Sequence, residues 1–245
     1  MQKKLLTYEE KEKELEKVQK IVKDAEEQEV RAITKMTENS KLTEDRFNSI
    51  LEILVKSKAI LTGHFQLRSG GHSSRFLQFA RIVGEPKYLD KITRMLTYIL
   101  WNLSANNILA PTSIGGVYGF EIAREFDVPL VLAELTNDKA VLHNGFKLAK
   151  NSRVLIINGL STTGRGIVAL NRLVQEHLAQ TVGVGLFACR YQGGLKKLKE
   201  KLKTENIPGE NVHSLIEIHT DYFNSREDCK LCKEGIPYVD ARYII

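Results

Sequence analysis

The stretch that most limits what this chain can fold into is Val154 to Gly166, VLIINGLSTTGRG. Val154 to Ile157 are four consecutive aliphatic residues, a run suited to the middle of a parallel sheet covered on both faces. The run breaks into Ser161, Thr162, Thr163, Gly164 and Gly166, after which Ile167, Leu170 and Val174 recur on one helical face. A strand feeding a hydroxyl- and glycine-rich turn that opens a helix gathers backbone N–H groups, hydroxyls and the positive end of a helix dipole at one point. Such a turn suits a phosphate. The same residues are also ordinary helix-capping chemistry, so the turn alone leaves both readings open.

The rest of the chain repeats this alternation. Ile108 to Ala110 is a short apolar strand running into PTSIGG, Pro111 to Gly116, with a helix predicted from Val117 to about Glu125. Pro129 to Glu134 reads as a third strand, Asn137 to Asn144 as a polar connection carrying Lys139 and His143, and Gly145 to Leu148 as a short strand. Val182 to Cys189 is a further strand ending at Arg190, followed by a helix over Leu195 to Lys203 and a strand over Val212 to Ile218. Upstream, Thr43 starts a helix buried through Phe47, Ile50, Leu51 and Leu54. Leu61 to Arg81 holds two strands joined near Ser69 to Gly71, with Arg68 beside the turn, and another helix opens near Pro86. The pattern predicts an α/β fold with a doubly wound, mostly parallel sheet, whose strand-end loops gather on one edge. Residues 1–42 read as a Lys- and Glu-rich helical extension with a thin seam of Leu15, Val18, Val22 and Ala25, ahead of a domain over 43–245.

Across 245 residues the net charge is +6, with basic residues scattered among acids. That balance suits an anionic ligand, and no dense basic block argues for a nucleic-acid partner. No apolar run approaches the ~18 residues of a membrane span and the start lacks a signal-peptide core, so a cytoplasmic protein is expected. Cys189, Cys229 and Cys232 are too few for a disulfide framework. CKLC, Cys229 to Cys232, has the spacing of half a zinc site, but the chain holds no second pair, and His219 is the nearest histidine in sequence. No metal site is therefore assigned from the sequence.

Taken together, these stretches resemble the type I phosphoribosyltransferases, and within them the orotate phosphoribosyltransferases, over residue 43 onward. Val154 to Gly166 resembles the phosphoribosyl pyrophosphate motif and Pro111 to Gly116 the pyrophosphate loop. GHFQLRSGGHSSRF resembles the segment that forms a hood over the base, within 43–82, and the tail at 221–245 is similar to a CPLC-type ending of one bacterial branch. The resemblance implies that Arg68, Phe76 and Arg190 contact an orotate-like base. It places Pro111, Gly115, Gly116, Asn158, Ser161, Thr162, Thr163 and Gly164 around the donor or a nucleotide, and Lys139 and His143 on the leaving pyrophosphate. A homodimer is also implied, and Mg2+ if the chain is active.

The sequence departs from the family where the chemistry lies. Two adjacent acids of the family motif hold the ribose hydroxyls and face the charge that develops as the bond to pyrophosphate breaks. This chain has Asn158 and Gly159 there, and Gly166 where a hydroxyl residue is usual. Losing preorganised charge at a transition state costs ~3 kcal/mol per group, about a hundredfold in rate. The expected function is ligand binding on an orotate phosphoribosyltransferase scaffold with impaired catalysis. A working Mg2+-dependent transferase making orotidine 5′-monophosphate, and a structural or assembly protein, remain the alternatives.

Overall fold

The aliphatic run beginning at Val154 lies at the centre of a six-stranded sheet. The structure is a computed structural model that describes residues 27–28, 30–34, 44–67, 69–136 and 139–241. The seam at Leu15 to Ala25, the helix start at Thr43 and Arg68 lie outside these residues. Along the chain come α1 (Glu44–Lys56), β1 (Ile60–Gln66), β2 (His72–Leu77), α2 (Ala80–Val83), α3 (Pro86–Leu100), β3 (Asn107–Pro111) and α4 (Ile114–Phe126). They are followed by β4 (Leu130–Thr136), β5 (Lys139–Leu142), β6 (Arg153–Ser161), α5 (Arg165–Glu176), β7 (Gln180–Cys189) and α6 (Gly194–Lys203). The last elements are β8 (Val212–Glu217), α7 (Lys230–Lys233) and β9 (Val239–Asp240).

The main sheet has the order β5-β4-β3-β6-β7-β8 and is parallel except for the β4–β5 pair. Side chains alternate across β6, which explains why its apolar run is unbroken. Leu155 and Ile157 join the core beneath α1, α3 and α4, whereas Val154 and Ile156 join the core beneath α5 and α6. All four are fully buried, and each such side chain contributes on the order of 2 kcal/mol. The doubly wound, mostly parallel sheet expected from the sequence is the one observed.

Two local expectations are corrected. Residues 139–142 form an edge strand instead of an open connection: Lys139 to Leu142 alternate between exposed and half-buried and pair antiparallel with β4, Glu134 opposite Val141. Gly145 to Leu148 is not a strand; the backbone turns, with Phe146 N donating to His143 O at 3.1 Å. The helix after Pro111 also begins three residues earlier than predicted, at Ile114.

A second, three-stranded sheet, β2-β1-β9, forms the hood. The β1–β2 hairpin is antiparallel, and β9 returns from the tail to lie parallel to β1, with Phe65 opposite Val239. No helix among the described residues is long and apolar enough to cross a membrane.

Candidate functional site

Three strand ends converge on one edge of the main sheet. The loop after β6 runs through Thr162 and Thr163 to Gly164, which begins α5 in the left-handed region at φ 76°. A side chain there would be strained by that backbone, and its Cβ would also lie 3.0 Å from Leu198 Cδ1. The N-cap residue Gly164 has no side chain, and Thr163 Oγ1 accepts from Arg165 N at 3.5 Å, so the loop hydroxyls sit at the positive end of the helix dipole. The loop is braced from two sides: Lys201 Nζ donates to Thr163 O at 2.7 Å, and Arg165 Nη2 donates to Ser69 O in the hood at 3.2 Å. The neighbouring helix α6 offers no comparable seat, because the Glu217 carboxylate already accepts from Leu195 N at 2.7 Å.

Beyond β7, Arg190 is only 7% exposed. Its backbone N donates to Ser161 O at 2.8 Å, locking it beside the β6 loop. Its Nη2 donates to Ser73 Oγ, Arg75 O and Thr220 Oγ1 at 3.1, 3.2 and 2.7 Å, so the guanidinium meets the hood one residue before Phe76. Burial pushes the guanidinium down to about 10, which leaves it charged at neutral pH. Its buried Nε has no acceptor. A buried cation held by neutral oxygens, with a donor unmatched, leaves its charge uncompensated by any acid among the described residues.

The position where the resemblance expects an acid pair lies against an aromatic ring. Asn158 is half-buried and Gly159 buried. A Cβ on Gly159 would sit 2.5 Å from both Cδ1 and Cε1 of Phe79, whose ring stacks on Phe187 at 4.9 Å and meets Tyr118 edge-on at 5.6 Å. The volume a side chain at 159 would need is thus part of the apolar core.

The other expected residues are distributed as follows. Ser161 is buried at the end of β6, with Thr162 and Thr163 half-buried beyond it. Phe76 lies on β2 opposite Leu61, its ring 5.7 Å from that of Phe65. Gly115 and Gly116 are tight for packing reasons, since a Cβ would lie 2.6 Å from Pro111 Cγ and 3.1 Å from Leu132 Cδ2, respectively. Ser113, between β3 and α4, has φ 71°, a strained conformation for a residue with a Cβ. Lys139 is exposed on the edge strand, and His143 Nδ1 lies 2.6 Å from Glu134 Oε1, tying up that carboxylate. Cys229 and Cys232 lie against the hood beside His64 and His72, two histidines that the sequence reading did not single out. His219, the nearest in sequence, is not in that group.

No protein-family model matches the sequence. Among solved structures, the chain superposes on Leishmania donovani UMP synthase with a TM-score of 0.59 and 19% identity, covering 71% of this chain and 36% of that one. It superposes on orotate phosphoribosyltransferase from Aeropyrum pernix with a TM-score of 0.54 and 16% identity, covering 68% of this chain and 92% of that one. The parallel sheet, the β6 loop and the hood together define a type I phosphoribosyltransferase fold. In sequence, the chain is 32% identical over 190 residues to the orotate phosphoribosyltransferase of Caldanaerobacter subterraneus subsp. tengcongensis, covering 78% of this chain and 94% of the relative. The chain belongs to the orotate phosphoribosyltransferase family.

Proposed function

We propose that this member of the family binds a phosphoribosyl or nucleotide ligand with an orotate-like base and turns it over poorly. The first turn of α5, with Ser161 to Gly164, receives the 5′-phosphate, braced by Lys201. Arg190, together with Arg68 and Phe76 of the hood, takes the anionic base. Asn158 hydrogen-bonds a ribose hydroxyl. The observation that carries the impaired reading is the Phe79 ring against Gly159: the second acid of the family motif is absent and its space is filled.

Mg2+ fits this chain poorly. It is held through carboxylates together with substrate phosphates, and at the motif positions the chain offers the neutral amide of Asn158 and no side chain at Gly159. A metal there would rest on the ligand's own oxygens.

A working transferase is the second reading, favoured by 32% identity to a named orotate phosphoribosyltransferase. Orotate, phosphoribosyl pyrophosphate and Mg2+ are supplied to the purified protein and pyrophosphate release is followed beside that relative. Two missing charges predict a rate about 10⁴-fold lower; a rate within about tenfold of the relative would overturn the impaired reading. Calorimetry with orotidine 5′-monophosphate tests binding separately, and absence of heat at millimolar ligand would overturn that part.

The proposal includes a cytoplasmic location, where Cys189, Cys229 and Cys232 stay out of disulfides, and a homodimer. Tyr98 and Trp101 near the end of α3 and Val117 and Phe120 on α4 are large apolar side chains left exposed, of the kind a second copy would cover. Light scattering should give twice the chain mass, and Phe120→Glu should shift it toward one.

A further inference from the structure

The hood holds a cluster that the ligand site does not use, and we propose that His64, His72, Cys229 and Cys232 form a structural zinc site. Their ligand atoms all lie within 4.8 Å of one another, and all but Cys232 are buried. Local structure aims them together. His64 lies in the irregular pairing between Thr62 and Phe65, and its Nε2 reaches across the hairpin to within 2.8 Å of His72 Nδ1. Cys229 and Cys232 bracket the first turn of α7, where an i, i+3 spacing puts both thiols on one side.

Three S···N distances match the edges of a tetrahedron. Zinc with Zn–S of about 2.3 Å and Zn–N of about 2.0 Å separates S and N ligands by about 3.5 Å and two N ligands by about 3.3 Å. Cys229 Sγ lies 3.4 Å from His64 Nε2, and Cys232 Sγ lies 3.6 Å from His64 Nε2 and 3.5 Å from His72 Nδ1. The N···N edge, His64 Nε2 to His72 Nδ1, is shorter at 2.8 Å, and closing around a cation widens it by about half an ångström.

Hydrogen bonding alone serves these atoms badly. His64 Nδ1 is 2.7 Å from Ile236 O; a carbonyl only accepts, so Nδ1 carries the proton and Nε2 presents a lone pair. Three potential donors, His72 Nδ1 and the two thiols, then face that single lone pair. A cation at the centre instead takes one lone pair from each of the four atoms. The carbonyl behind His64 becomes the outer partner that fixes the tautomer of a metal-bound imidazole. Two thiolates and two imidazoles in a tetrahedron select zinc, and four protein ligands leave no open position for catalysis.

The site staples the tail to the hairpin. His72 and Phe223 exchange backbone hydrogen bonds at 2.8 and 2.9 Å, and the Tyr238 ring stands edge-on to both imidazoles. Ser73, adjacent to His72, is the residue whose hydroxyl accepts from Arg190. Zinc therefore fixes the strand that meets Arg190, whether or not the chain turns over orotate.

The full chain, purified under reducing conditions and dialysed with zinc, should carry about one zinc per chain by mass spectrometry. Its Co2+-exchanged form should show thiolate-to-cobalt charge transfer and tetrahedral d–d bands. Cys232→Ser and His64→Gln should lose most of the metal, and Cys189→Ser should keep it. Should the substituted proteins fail to fold, the wild-type stoichiometry and cobalt spectrum still decide. Chelation of the wild type should speed hydrogen exchange in residues 60–77 and 236–240 while β3 and β6 stay protected. Folded, reduced wild-type protein with zinc in fewer than about one chain in ten, or a cobalt spectrum without thiolate bands, overturns the site. Unchanged exchange after metal removal overturns the staple. None of these readouts depends on catalysis.

Discussion

Lys201 Nζ lies 2.7 Å from the carbonyl oxygen of Thr163 and 5.8 Å over the ring of Tyr191, so α6 carries a cation to the loop between β6 and α5 from outside. A charge-assisted hydrogen bond of this kind contributes roughly 1.5–3 kcal/mol, part of it felt by a bound phosphate. Lys201→Met should weaken orotidine 5′-monophosphate binding by about tenfold in calorimetry and lower the melting temperature by a few degrees, about 2–4 °C per kcal/mol lost. Equal affinity in the variant would mean that the brace is only structural.

Gly159→Asp, the substitution that restores a family acid, should not restore activity. Its Cβ meets Phe79 at 2.5 Å, and a carboxylate would enter an apolar core. Overpacking and charge burial together should cost about 3 kcal/mol or more in urea denaturation. Combined with Phe79→Ala, the acid gains room, and the double variant should be more stable than the two separate losses predict. Additive losses would show that Phe79 does not occupy the acid's space.

Arg190→Met separates stability from binding. The native guanidinium is buried without a carboxylate partner among the described residues, and its Nη2 bonds Ser73, Arg75 and Thr220, so exchanging it for an apolar chain should cost about 1–3 kcal/mol in urea denaturation. Ligand affinity should fall at least about tenfold, since an anion loses its buried partner. A large loss of stability with affinity intact would assign Arg190 to hood attachment alone.

His213 on β8 gives a pH signature. Burial, with Lys199 adding repulsion, holds its imidazole below the ordinary 6.5. Between that lowered value and pH 6.5 the unfolded chain binds more protons than the folded one, so stability rises with pH. The contribution is complete above about pH 6.5 and is lost as the pH falls through the folded value. His213→Asn should flatten the slope of stability against pH below about 6.5 relative to wild type, with zinc saturating in both. Parallel slopes would contradict the assignment.

The sequence made the main sheet readable because β6 and β7 are long apolar runs whose burial on both faces requires no knowledge of their partners. β5 was not readable: Lys139 to Leu142 is four residues long and becomes a strand only through its pairing with β4. At the site, Gly159 was legible as a departure, but the Phe79 ring that fills its place comes from a segment 80 residues earlier and follows only from the packing. His64 and His72 stayed hidden because they lie 160 to 168 residues from the cysteines they meet, and because a hairpin pair does not have the short helical spacing that marks zinc ligands. The two histidines flanking the Ser69 to Gly71 turn were the available signal.

The return of β9 to the side of β1 sets an order of assembly during synthesis. All six strands of the main sheet have been made once Glu217 is added, whereas the hood's third strand waits for Val239 and Asp240. A nascent chain emerging at about 5–20 residues per second can therefore close its core seconds before the hood sheet can be completed. During that interval the β1–β2 hairpin presents an uncovered strand edge, the kind of surface that promotes pairing between neighbouring chains. Docking of β9 covers that edge at Phe65 and Gln66, so the hood sheet is completed after the core.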